Sequence, residues 1–216
     1  MPSVSLLAAA FATALAVAVF LLGEKRQSRA LRWIAKPLAS TGFIAAALVA
    51  GAPESTYGRW VLAALVLSWL GDVLLLSSGK GGFLAGLGAF LASHLAFAGA
   101  FAARGVVVHA AALAAIVSVV PAVVIARWLL PHVDAKMRVP VIAYMVAIST
   151  MVALAVGTTA SAVAPALVAG AIAFYLSDIS VARDRFVAPG FVNRAWGIPL
   201  YYGAQLLLAW STSPAP

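Results

Sequence analysis

Long apolar runs alternate with short polar breaks along the whole chain. A run of about 20 mostly apolar residues, folded as a helix, crosses the hydrocarbon core of a bilayer. The pattern predicts eight such spans, at about 3–22, 34–51, 58–77, 83–103, 106–127, 139–158, 162–182 and 197–213. Only Ala103-Arg104-Gly105 separates the fourth from the fifth, which predicts a tight turn there. The expected fold is an all-α polytopic transmembrane helical bundle of about eight spans, with residues 1–216 as one transmembrane domain.

Composition strengthens this reading. The chain is 64% hydrophobic and 9% charged, whereas a soluble domain is about half apolar and a quarter charged. Too few polar residues remain to cover a water-exposed globule, so the excess apolar surface is expected to face lipid. The absence of cysteine excludes disulfides and thiolate metal sites. A net charge of +8 is also what a nucleic-acid binder carries, but here the cations lie in short loops. Lys25, Arg26, Arg29 and Arg32 follow the first run, Lys80 the third, Arg127, Lys136 and Arg138 the fifth, and Arg183, Arg185 and Arg194 the seventh. The opposite side carries Arg59 and Arg104. Cations gather on the cytoplasmic side of membrane proteins. The expectation is a multi-pass protein of a bacterial inner membrane, both termini outside, with the bilayer as partner and no nucleic acid. The first basic cluster follows its apolar run, the reverse of a secretory leader, so this helix is expected to be retained.

Ionisable residues inside apolar spans are costly and mark function by default. Asp72 lies in Trp69-Leu70-Gly71-Asp72 and Asp178 in Tyr175-Leu176-Ser177-Asp178. Each falls one to two turns from the basic end of its span. Lys36, Tyr144, Tyr201 and Tyr202 fall at a similar level, with His94 and Gln205 deeper. Shared depth predicts a cavity opening toward the basic side, with Asp72 and Asp178 as its catalytic pair. Lys36, His94, Tyr144, Tyr175, Ser177, Tyr201, Tyr202 and Gln205 are the candidate substrate-binding residues. Plainer readings stand beside these. Asp178 has Arg183 nearby as a partner, and Lys36 suits an orientation anchor. His94 shares a helical face with Phe90, Phe97 and Phe101, as a core histidine would. The tyrosines suit an interfacial belt, and Gln205 a hydrogen bond between helices. The two aspartate motifs echo one another, as do the openings of spans two and six at Lys36-Pro37 and Arg138-Val139-Pro140. A parallel four-plus-four internal repeat explains both echoes.

Several chemistries are excluded by pattern. There is no Gly-x-Ser-x-Gly elbow, no His-Glu-x-x-His and no Walker loop. Three widely spaced histidines do not make a zinc site, and neither metal nor cofactor is expected. Gly71-Asp72 and Pro165-Ala166-Leu167 resemble motifs of intramembrane aspartyl proteases. Here, however, Pro-Ala-Leu precedes the second aspartate instead of following it. What remains is a pair of intramembrane carboxyl groups. Neighbouring carboxylates cannot both ionise cheaply, so such a pair tends to hold one proton. That suits acid-catalysed hydrolysis through a cationic intermediate. It equally suits a proton-coupled transporter of small molecules or lipids.

Ordered motifs carry a resemblance beyond these arguments. They are Lys36-Pro37-Leu38, Leu70-Gly71-Asp72-Val73-Leu74-Leu75, Phe83-Leu84-Ala85-Gly86-Leu87-Gly88-Ala89-Phe90 and Ser93-His94-Leu95-Ala96-Phe97. Tyr144-Met145, Gly170-Ala171-Ile172-Ala173-Phe174-Tyr175-Leu176-Ser177-Asp178 and Tyr201-Tyr202-Gly203-Ala204-Gln205 follow. Together they resemble the lysoplasmalogenase (YhhN-type) family of eight-span membrane hydrolases. Phe97 departs from the pattern, standing where a tyrosine is frequent. The resemblance implies an ether hydrolase of lipid metabolism that cleaves the vinyl ether bond of lysoplasmalogens. Its lysophospholipid substrate would yield a fatty aldehyde and a glycerophospho-base. On this reading one aspartate is the acid, the other supports the cation and the attacking water, and Lys36 meets the phosphate.

Overall fold

The computed structural model describes residues 3–77, 79–158 and 164–213. Among these residues it contains eight α-helices and no strand. In chain order they are α1 (Val4–Lys25), α2 (Arg29–Val49), α3 (Thr56–Leu74), α4 (Lys80–Arg104), α5 (Val108–Leu129), α6 (Ala135–Gly157), α7 (Ala164–Ala182) and α8 (Phe191–Trp210). A short π-helical turn, Arg183–Val187, continues α7.

Local chemistry sets the boundaries. Ser3, Ser28 and Ser55 cap α1, α2 and α3, each hydroxyl accepting a first-turn backbone N–H that would otherwise lack a partner. Gly105 ends α4 at φ 95°, a conformation other residues resist. The tight α4–α5 turn expected from the sequence is present. Val107 N–H then donates to the Gly157 carbonyl at 3.0 Å, pinning the start of α5 to the end of α6. Helices α2, α4, α6 and α8 start earlier than the apolar pattern indicates, α2 and α8 by the most. Arg29, Arg32 and Arg194 read as loop charges, yet they lie on the first turns of α2 and α8. The expected start of the seventh span, at 162–163, lies outside the described residues.

Successive helices pair as hairpins, α1 with α2, α3 with α4, α5 with α6 and α7 with α8. α2 packs on α3 and α6 on α7, while α8 closes against α1 and α2 and α4 against α6. α5 stands apart, with Leu129 as its buried residue. Among the described residues, six helical segments are long and apolar enough to cross a membrane: Val4–Lys25, Thr56–Leu74, Lys80–Arg104, Val108–His132, Ala135–Gly157 and Pro165–Val187. α2 and α8 fall short in apolarity, not in length. They turn Lys36, Ser40, Tyr201, Tyr202 and Gln205 inward, and these polar residues lower their mean hydropathy. One end of the bundle is tied by Tyr57, whose hydroxyl meets Ser211 Oγ at 2.5 Å and whose ring lies under Arg104. The other end is hollow.

Candidate active site

The hollow end holds a cavity of about 510 Å³. Asp72 and Asp178 both line it, as do Lys36, Tyr144, Tyr175, Ser177, Tyr201 and Tyr202. The structure thus gathers most of the layer expected from the sequence.

Asp72, on α3, is saturated with donors. Lys36 Nζ lies 3.1 Å from its Oδ1. Ser40 Oγ donates to Oδ2 at 2.6 Å and Tyr201 OH at 2.8 Å. Ser40 has one proton and spends it on the carboxylate, so Tyr202 OH, 3.0 Å away, donates to Ser40. Lys36 and Ser40 are four residues apart on α2 and therefore share one face. A cation and two hydroxyls thus converge on one buried carboxyl group.

Asp178, on α7, has different company. Tyr144 OH donates to Oδ2 at 2.8 Å. His94 Nε2 stands 3.3 Å from the same oxygen without an aligned hydrogen bond. The other imidazole nitrogen fixes the tautomer. Nδ1 is 2.6 Å from the Phe90 carbonyl, which only accepts, so Nδ1 carries a proton. Nε2 is the nitrogen left to face Asp178. Asp178 Oδ1 makes no hydrogen bond among the described residues.

The remaining sequence candidates divide. Tyr175 lines the cavity and makes no hydrogen bond among the described residues. Ser177 also lines it, but its hydroxyl donates back to the Phe174 carbonyl at 2.7 Å. His94 is fully buried behind Asp178, stacked near Phe174 and Tyr144. Gln205 does not line the cavity. Its Nε2 reaches Ser68 Oγ at 3.4 Å, in a deeper polar layer with Ser93. Arg183 does not pair with Asp178; it donates to Asn193 Oδ1. Among the described residues no group of three His, Asp or Glu side chains is placed to hold a metal ion.

Sequence reasoning missed Ser40, Glu24, Asp184 and Asn193. At the cavity mouth Arg194 links Glu24 of α1 to Asp184 of the π-turn, its Nη2 lying 3.1 Å from Asp184 Oδ2. Arg32 Nη1 is 3.8 Å from Glu24 Oε1. Asn193 is buried and donates to Asp184 and to the Ala188 carbonyl. Only an acid one helical turn from each aspartate would have signalled this cluster, and neither acid lies there.

Comparison with known proteins decides the family. The sequence profile of the YhhN family matches residues 31–212. The chain belongs to the YhhN family. A lysoplasmalogenase of Mycobacterium bovis is 33% identical over 178 residues, covering 79% of this chain and 66% of its own. A lysoplasmalogenase of Mycobacterium tuberculosis matches to the same extent. Lysoplasmalogenase TMEM86A of Bos taurus is 30% identical over 157 residues, covering 70% of this chain and 64% of its own. The chain therefore spans just under two thirds of the length of these curated relatives. No solved structure matches. The YhhN match contains both aspartates and their partners; Glu24 on α1 lies before it.

Proposed function

We propose that this chain is a membrane-embedded lysoplasmalogenase, a hydrolase of the vinyl ether bond of 1-alkenyl lysophospholipids. One observation carries the reading. Two aspartates face one cavity, one gripped by a lysine and two hydroxyls and the other set against a tyrosine and a histidine. The names of the YhhN relatives support the same substrate class.

The unlike surroundings of the two carboxyl groups support a division of labour. Asp178, in its acid form, gives its proton to the vinyl carbon remote from oxygen. The π electrons form the new C–H bond, and the adjacent carbon becomes part of an oxocarbenium ion. Asp72, anionic and cavity-facing, stabilises that cation. Water adds to the cationic carbon and gives up a proton to the Asp178–His94 pair. The hemiacetal then breaks its bond to the glycerol oxygen, which takes a proton, releasing aldehyde and glycerophospho-base. His94 acts through Asp178 and is a positioning residue.

All eight helices cross the membrane in this reading, with the basic loops and cavity mouth on the cytoplasmic side and both termini outside. α2 and α8, at 21 and 20 residues, are each about 30 Å long, enough for the hydrocarbon core. A four-plus-four repeat is supported by the way each aspartate is held. Asp72 on α3 is gripped from α2 and α8, and Asp178 on α7 from α6 and α4. Advancing each helix by four converts one arrangement into the other.

The deciding assay gives purified protein in detergent a 1-alkenyl lysophospholipid. Release of fatty aldehyde is expected. No aldehyde, together with proton-driven uptake of a solute into sealed vesicles, would replace this reading with a transporter.

A further inference from the structure

The cavity wall is divided in chemistry. Phe83 and Leu87 on α4, with Leu129, Met145 and Ile148 on α5 and α6, give one side an apolar lining. The side made by α1, α2, α8 and the π-turn carries Glu24, Arg32, Asp184 and Arg194. Such a cavity fits a molecule with a long apolar part and a compact charged part.

The charged side is not fully satisfied internally. The Glu24 side chain is 8% exposed, and Arg194 occupies its Oε2. Its Oε1 has no hydrogen bond, only the 3.8 Å contact to Arg32. Arg32 Nε is buried without a hydrogen-bond partner among the described residues. Buried polar atoms normally find partners, so Arg32 Nε is left to a ligand that lies along the Arg32–Glu24 pair from the cavity. Lys36 is unavailable for this, since its ammonium is committed to Asp72.

We infer that Arg32 and Glu24 form a receptor for a zwitterionic phosphodiester head group, Arg32 taking the phosphate and Glu24 Oε1 the ammonium. The inference rests on the proposed hydrolase reading for the position of the vinyl ether. Arg32 precedes Lys36 by four residues and lies on the same face of α2. Four residues of helix rise about 6 Å, which is within the reach of the glycerol linking ether oxygen to phosphate. A guanidinium offers the phosphate a planar fork of donors. Arg194 and Asp184 fasten the π-turn beside the site and hold Glu24 in place.

The test is binding, measured on the full chain in detergent with saturated ether lipids that cannot be hydrolysed. Three probes are compared: 1-alkyl-2-lyso-glycerophosphoethanolamine, the corresponding alkyl glycerol phosphate, and the phosphate-free alkyl glycerol. The wild-type chain is expected to bind the zwitterion at least about tenfold more tightly than the alkyl glycerol. Arg32→Gln should remove that advantage and leave alkyl glycerol binding unchanged. Glu24→Gln should weaken the zwitterion relative to the alkyl glycerol phosphate. Equal affinity of the wild-type chain for all three probes overturns the inference and needs no variant to fold. Equal loss on all three probes in Arg32→Gln also overturns it. Aldehyde release without head-group preference sinks this inference alone. Head-group preference without aldehyde release sinks the hydrolase reading alone.

Discussion

Lys36 Nζ lies 3.1 Å from Asp72, so Asp72→Asn leaves a buried ammonium without its counterion. Breaking one side of a buried pair costs roughly 3–5 kcal/mol. The variant should melt well below the wild-type chain in detergent, and adding Lys36→Met should restore most of the melting temperature while activity stays lost. Asp178→Asn strands no fixed cation, because His94 can become neutral, and the Tyr144 hydroxyl keeps an acceptor. Its stability should stay within about 1 kcal/mol of wild type. A calorimetric comparison that found the two variants equally unstable would contradict these pairings. The aspartates, Lys36, His94 and the three site tyrosines were legible in the sequence because an ionisable or phenolic group stands out in an apolar run. Ser40 was not, since a serine inside a membrane helix usually bonds its own backbone, as Ser177 does here. Gln205, read as deeper but still substrate-binding, lies too far along α8 to reach the cavity and bonds Ser68 instead.

Helix contacts give glycines on one helix opposite meanings. A Cβ at Gly197 of α8 would collide with the Ser180 side chain on α7, whereas a Cβ at Gly203 would meet nothing. Gly197→Ala should therefore destabilise the protein by about 1–3 kcal/mol and shift α8 beside Asp178. Gly203→Ala should stabilise it by up to about 1 kcal/mol, since alanine favours helix. Thermal unfolding of the two variants checks the signs. The number and order of helices were readable from apolar runs. Their first turns were not, because cations at helix starts read as loop charges, and Arg29, Arg32 and Arg194 all belong to helices. The mouth cluster stayed hidden for a related reason. Glu24 and Arg194 are 170 positions apart, and only the packing of α8 on α1 brings them together.

For the whole molecule, the proposal that α2 and α8 cross with the other six is open to direct labelling. The chain has no cysteine, so single cysteines report cleanly. Gln27 lies between α1 and α2, and Ser55 between α2 and α3. An impermeant maleimide on intact cells should label Ser55→Cys and spare Gln27→Cys. Equal labelling of both would mean that α2 does not cross. The proposed orientation rests on the loop cations, most of which fall at alternate breaks between the apolar runs. The cavity was legible as a layer of polar residues, but its division into charged and apolar sides required the folded chain. In the proposed mechanism a proton delivered by Asp178 starts vinyl ether hydrolysis. Its most direct test is turnover of a 1-alkenyl lysophospholipid in heavy water by the purified chain and by Asp178→Asn. The wild-type product should be a fatty aldehyde with one deuterium on the carbon beside the carbonyl, and the folded variant should be about a hundredfold or more slower. An aldehyde without deuterium, or a variant near the wild-type rate, would contradict the account.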